Sequence, residues 1–148
     1  MFGGNIVTLE FLLVWESICM SEILNKPKEI HLNGNGLFSK EEVIVSIKKA
    51  KKGSGITFIL NNEEIPATVN NVSNATRNTV LSKNNESLCL IEHFLSTCSI
   101  LDIDDIEVQT NRNELIIGDG SAIHWYEAFK NAGYIEKSDL SKVDLKEP

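Results

Sequence analysis

The segment LIEHFL, residues 90–95, sets Glu92 beside His93 in an otherwise apolar stretch. A carboxylate can take a proton from water and an imidazole can hold a divalent metal, two of the parts a hydrolytic site needs. On one helix the two side chains would diverge by about 100°. The same pair has a plainer reading. Glu is favoured at a helix amino terminus, where it meets the partial positive charge of the free amides, and His tolerates the edge of a buried stripe. Cys89 lies four residues before His93 and would share its face on a continuous helix. A Cys–His metal pair is the minor reading of that spacing, because a free Cys is usually a small buried hydrophobe.

The chain that must position these residues has 148 of them, 42% hydrophobic, which suits one domain with a modest core. A formal net charge of -7 argues against a general affinity for phosphate backbones, which comes from clustered Lys and Arg releasing counterions. No nucleic-acid partner is expected. The basic run Lys48, Lys49, Lys51 and Lys52 leads into Gly53-Ser54-Gly55 and reads as a solvated hairpin turn. Cys19, Cys89 and Cys98 are odd in number and form no CxxC. Reduced thiols in a cytoplasmic protein are therefore expected, rather than a disulfide framework or a zinc ribbon.

Residues 1–28 read as an apolar extension. They carry Glu10 and Glu16 and no basic start, so they match neither a secretory signal nor a membrane span. Val7, Phe11, Val14 and Ile18 fall on one helical stripe, which predicts a docked amphipathic helix; translation from Met20 is the alternative. Further on, Val43, Val45 and Ile47 alternate with polar residues, as do Ile56, Phe58 and Leu60, and the glycine turn between them predicts a hairpin. Asn61-Asn62 marks a turn before a short strand over 65–69, which Pro66 places at a sheet edge, and Thr79–Leu81 reads as another strand.

Ile91, Phe94, Leu95, Cys98 and Leu101 recur at helical spacing, and Ile106 and Val108 return to strand spacing. A second helix is expected from about Ala122 to Ala132, capped by Ser121 or Asp119 and ended at Gly133. The polar tail, 138–148, is expected to be loose. This order predicts an α+β two-layer sandwich, with a mostly antiparallel sheet and both helices packed on one face.

Four segments resemble, in collinear order, the amino-terminal domain of the UDP-3-O-acyl-N-acetylglucosamine deacetylase family. They are GNGLFSKEEVIVSIKKAKKGSGITFI (34–59), IPATVNNVSNATRNTVL (65–81), LIEHFLSTCSILDIDDIEV (90–108) and IIGDGSA (116–122). That family comprises the zinc amidases of lipid A biosynthesis in Gram-negative envelopes. The resemblance covers roughly residues 29–137 and implies a domain of that extent. It also implies that His93 is a zinc ligand, that Glu92 is the general base acting on a metal-bound water, and that the substrate is a UDP-acyl-sugar. Two further zinc ligands, a His and an Asp one helical turn apart, would come from a second half of similar fold.

Departures from the family pattern are specific. Its Gly-Leu-His is Gly36-Leu37-Phe38 here, and the Ser-Thr that precedes its Val-Glu-His is Cys89-Leu90, which removes a capping hydroxyl whose loss costs about 1 kcal/mol. His124 and His31 match no catalytic position of the family. The expectation is a deacetylase domain inactive alone and active only with a complementing second half. The alternative is a non-catalytic domain that dimerises or binds a partner through the face the second half would cover.

Overall fold

The computed structural model describes residues 27–135. The predicted amino-terminal helix, the Met20 start, Cys19 and the polar tail lie outside these residues.

Alternation of apolar and polar residues builds the main sheet. In β2 (Glu42–Lys49), Val43, Val45 and Ile47 are buried while Glu42 and Ile44 are exposed on the other face. β1 (Ile30–Asn35) pairs antiparallel with β2, Ile30 opposite Ile47. β3 (Ile56–Leu60) and β4 (Glu63–Pro66) form a tight hairpin. Its turn residues, Asn61 and Asn62, have φ of 50° and 66°, a left-handed pair that Asn tolerates better than most side chains. β4 ends the sheet, as Pro66 predicts, because proline has no amide to donate to a further strand.

A second, three-stranded sheet holds β5 (Val72–Asn74), β6 (Val80–Lys83) and β7 (Glu86–Leu88). Of these only β6 is anticipated by the sequence. The other two have three residues each, too few to show a period. Then follow helix α1 (Glu92–Ile100), strand β8 (Ile106–Thr110) and helix α2 (Ile123–Asn131), the last close to its predicted span.

The hairpin expected between β2 and β3 does not form. β8 lies between them, antiparallel to β2 and parallel to β3, giving the order β1-β2-β8-β3-β4. Alternation specifies a strand and its buried face but carries no record of its neighbour. The glycine turn instead closes over the start of β8: Gly55 N donates to Asp105 Oδ1 at 2.9 Å, and Ala50 N to the Asp105 carbonyl at 2.9 Å. The basic run is solvated, with Lys48 paired to Glu107 at 2.8 Å across the sheet.

Both helices cover the same sheet face. Phe94 and Cys98 of α1 and Trp125 and Phe129 of α2 share one core with Val45, Ile47, Phe58 and Val108, so the fold is the expected two-layer α+β sandwich. Phe94 stands at its centre, with ring centroids 5.7 Å from Phe58, 5.1 Å from Trp125 and 5.9 Å from Phe129. No helix among the described residues is long and apolar enough to cross a membrane.

Candidate functional site

The approach to Glu92 and His93 is set by backbone pairing and one strained residue. After β7, Cys89 N donates to the Asn113 carbonyl at 3.0 Å, and Leu115 N donates to the Cys89 carbonyl at 3.1 Å. Leu90 then takes φ of 59°, a left-handed conformation that costs a bulky side chain about 1–3 kcal/mol. That turn bends the chain from the paired segment into α1, and it persists because Leu90 and Ile91 are buried in the core at 5% and 0% exposure. Glu92 and His93 thereby occupy the first turn of α1, both half-buried, with no side-chain cap on the helix. Glu92 Oε2 accepts the Thr79 amide at 3.3 Å. Cys89 lies before α1 while His93 is within it, so the two do not share a helical face as a continuous helix would have them do.

Both cysteines of the described region are free thiols. Burial, then the carboxylates of Glu114 and Glu92, raise the Cys89 thiol above its ordinary range, while burial and Asp104 push Cys98 up to about 12. Only the thiolate is nucleophilic. With iodoacetamide near pH 8, Cys89 is expected to react more slowly than a free thiol and Cys98 only on unfolding. Glu92→Gln should accelerate Cys89. Peptide mass spectrometry over time checks this, and equal rates at Cys89 with and without the Glu92 charge would contradict it.

The turn before α2 adds an imidazole that sequence reasoning left unassigned. Asp119 Oδ1 accepts Ser121 N at 2.9 Å and Ser121 Oγ at 2.7 Å, and Ser121 Oγ accepts Ile123 N at 3.3 Å. The cap position itself is Ala122, so Ser121 serves the first helical amide from one residue earlier and Asp119 stabilises the turn. His124 then packs over Gly118, where φ is 58° and a Cβ would stand 2.9 Å from His124 Nδ1. Burial holds this imidazole below its ordinary range, and the nearby His93 acts in the same direction. His124 also borders a cavity of about 350 Å³ beside Leu32, Asn33, Asn35 and Ile116. His31 is not brought in; it is exposed, with Glu29 at 3.8 Å.

Glu114 is the residue the sequence reading missed. It is 1% exposed, yet its Oε2 accepts Phe38 N at 2.9 Å and its Oε1 accepts Ser39 N at 2.8 Å. Burial pushes its carboxyl upward, but the amides of Phe38, Ser39 and Leu37 and the Ser39 hydroxyl outweigh burial and leave it below its ordinary 4.5. Its place directly before the apolar run Leu115–Ile117 was the available signal. A carboxyl depressed by folding contributes stability that is present above its unfolded pKa and is lost as pH falls through the lower folded value. Urea midpoints measured from pH 7 downward should therefore decline below about pH 4.5. Glu114→Gln should cost about 1–3 kcal/mol at pH 7 and flatten that decline.

Among the described residues no three or more His, Cys, Asp or Glu side chains converge as a metal site. Catalytic zinc usually takes three protein ligands, so Glu92 and His93 do not by themselves fit a resident zinc.

Comparison with known proteins sets this geometry in a family. The family model described as UDP-3-O-acyl N-acetylglycosamine deacetylase matches residues 26–148. The UDP-3-O-acyl-N-acetylglucosamine deacetylase of Chlamydia abortus is 29% identical over 125 residues, covering 82% of this chain and 45% of that protein. The one from Francisella tularensis is 30% identical over 122 residues, covering 78% of this chain and 43% of that protein. The resemblance seen in the four segments thus extends over most of the chain, including the Glu92–His93 turn of α1. The protein belongs to the UDP-3-O-acyl N-acetylglycosamine deacetylase family, and spans less than half the length of the curated relatives it matches.

Proposed function

We propose that residues 29–137 are the amino-terminal domain of a cytoplasmic, zinc-dependent deacetylase acting on a UDP-acyl-sugar in lipid A biosynthesis, with 1–28 an extension and 138–148 a tail. Glu92 is its general base and His93 one zinc ligand. The other ligands belong to the region of the relatives that this chain does not match. The carrying observation is the strained Leu90 turn, which sets Glu92 and His93 together on the first, half-buried turn of α1. Strain of this kind persists where surrounding structure holds it and is concentrated at functional sites. In amide hydrolysis the C–N bond breaks, water supplies oxygen to the acyl carbon, and the amine leaves with a proton. Glu92 takes the proton from water and returns it to the amine.

The test is to measure zinc content and deacetylation for this chain alone and mixed with the region of a relative that it does not match. This chain alone should hold no stoichiometric zinc and turn over no substrate; the mixture should do both. A mixture that binds no zinc defeats the reading. A second reading, a non-catalytic domain that dimerises, is favoured by the exposed apolar side chains Phe38, Ile100 and Ile123. A zinc-free homodimer in light scattering, indifferent to the added region, would support it.

A further inference from the structure

Two Asn–Gly pairs stand in tandem at the end of β1, Asn33-Gly34 and Asn35-Gly36, and the deacetylase reading uses neither. A glycine after asparagine leaves the backbone unhindered, so its amide nitrogen can attack the asparagine Cγ. The new N–Cγ bond closes a succinimide, and the carboxamide nitrogen leaves as ammonia with the proton of the glycine amide. Water then opens the ring at one of its two carbonyls, leaving aspartate or isoaspartate. The attacking nitrogen must first leave the ladder, and the fold holds both glycines in it. Gly36 N donates to the Glu41 carbonyl at 2.8 Å. Ile44 bonds to Asn111 on the β8 side, its N to Oδ1 at 2.8 Å and its carbonyl accepting Asn111 N at 3.3 Å. By alternation Val43 turns to β1, and its partner Gly34 is a ladder donor.

The two asparagines are guarded unequally. Asn33 lies inside the strand with its carboxamide tied to Glu42 Oε1 at 3.0 Å, and its glycine lies against the core, where a Cβ on Gly34 would stand 2.8 Å from Ile116 Cγ2. Asn35 is the last residue of β1 and is exposed, and no hydrogen bond holds its carboxamide among the described residues. Its glycine is kept in place by the loop that follows. That loop is pinned where Glu114 accepts the Phe38 and Ser39 amides and where Ser39 Oγ accepts Glu41 N at 3.2 Å.

We propose that Asn35 is a deamidation site gated by opening of the 36–41 loop, while the strand holds Asn33 back. The product alters the fold. Asn35 stands directly opposite Glu42 in the β1–β2 register, so aspartate there sets two carboxylates face to face, a destabilising cross-strand pair. Isoaspartate adds a methylene to the backbone at the end of the ladder. Asn35 also lines the cavity that His124 borders, so conversion brings a negative charge to its wall. The inference stands apart from the deacetylase reading and does not depend on zinc or on a second half.

Incubation of the full chain near pH 8, folded and in urea, tests this, with peptide mass spectrometry and fragmentation that separates positions 33 and 35. In urea both asparagines should convert at similar rates. In the folded chain Asn35 should convert about tenfold or more faster than Asn33, because a loop opens locally more readily than a paired strand. Ser39→Ala, at an exposed position, removes one pin of the loop and should speed conversion at Asn35 several-fold while leaving Asn33 unchanged. Conversion of Asn33 as fast as Asn35 in the folded chain would overturn the proposal, as would conversion of neither while the unfolded chain converts. A folded Ser39→Ala chain with Asn35 no faster than in the wild type would remove the gate. The wild-type comparison decides whether Asn35 is the site even if the variant does not fold.

Discussion

Phe94→Ala is expected to destabilise the fold by about 3–5 kcal/mol, the largest stability effect of any single change considered for this chain. Phe94 is 0% exposed and touches Phe58 of the sheet and Trp125 and Phe129 of α2. Truncation removes the transfer energy of the ring and leaves a cavity at the junction of α1, α2 and the sheet, which rigid neighbours fill only partly. Against a total stability of about 5–15 kcal/mol for a domain of this kind, that is a large share of the stability. The effect should reach the site as well, since Phe94 follows His93 directly on α1. Urea denaturation read by tryptophan fluorescence measures it, with Ile100→Ala as the control. Ile100 is 64% exposed on the same helix, and its truncation should stay within about 0.5 kcal/mol. A Phe94→Ala loss no larger than that of the control would refute the central place given to this ring.

Glu92→Gln is expected to lower turnover of the complemented enzyme by about 10²- to 10⁴-fold, with little change in stability. The amide keeps an oxygen that can accept the Thr79 amide, whose bond to Glu92 is long at 3.3 Å, but it cannot take a proton from water. His93→Ala should instead remove zinc binding and turnover together, because neither Cys89 nor any other described side chain completes a metal-binding group around it. The contrast separates the two roles: the Gln variant retains metal without turnover, the Ala variant retains neither. Metal analysis alongside release of the free amine reads both. A Glu92→Gln enzyme keeping more than about a tenth of wild-type turnover would take the base role away from Glu92.

These expectations draw on different depths of the sequence. The strand faces were legible in the alternation of Val43, Val45 and Ile47, and the two helices in their three- and four-residue spacing, because both periods are local geometry. Asn61-Asn62 and Pro66 were legible for the same reason: each restricts its own φ or removes its own donor. The family match extends this local legibility to Glu92 and His93, whose neighbours in the chain carry the pattern.

On its own, then, the sequence determined β2, β3, β6, β8 and the two helices, the face that Val43, Val45 and Ile47 bury, the α+β class and the family. Only the tertiary structure decided that β8 enters between β2 and β3, that Leu90 bends the chain into α1, that His124 comes within electrostatic reach of His93, and that Glu114 holds a loop 76 positions away. The physical reason is range. Periodicity and turn chemistry act over a few residues, whereas strand order and the pairing of a buried charge are settled by burial and hydrogen bonding between segments that meet only when the whole core closes.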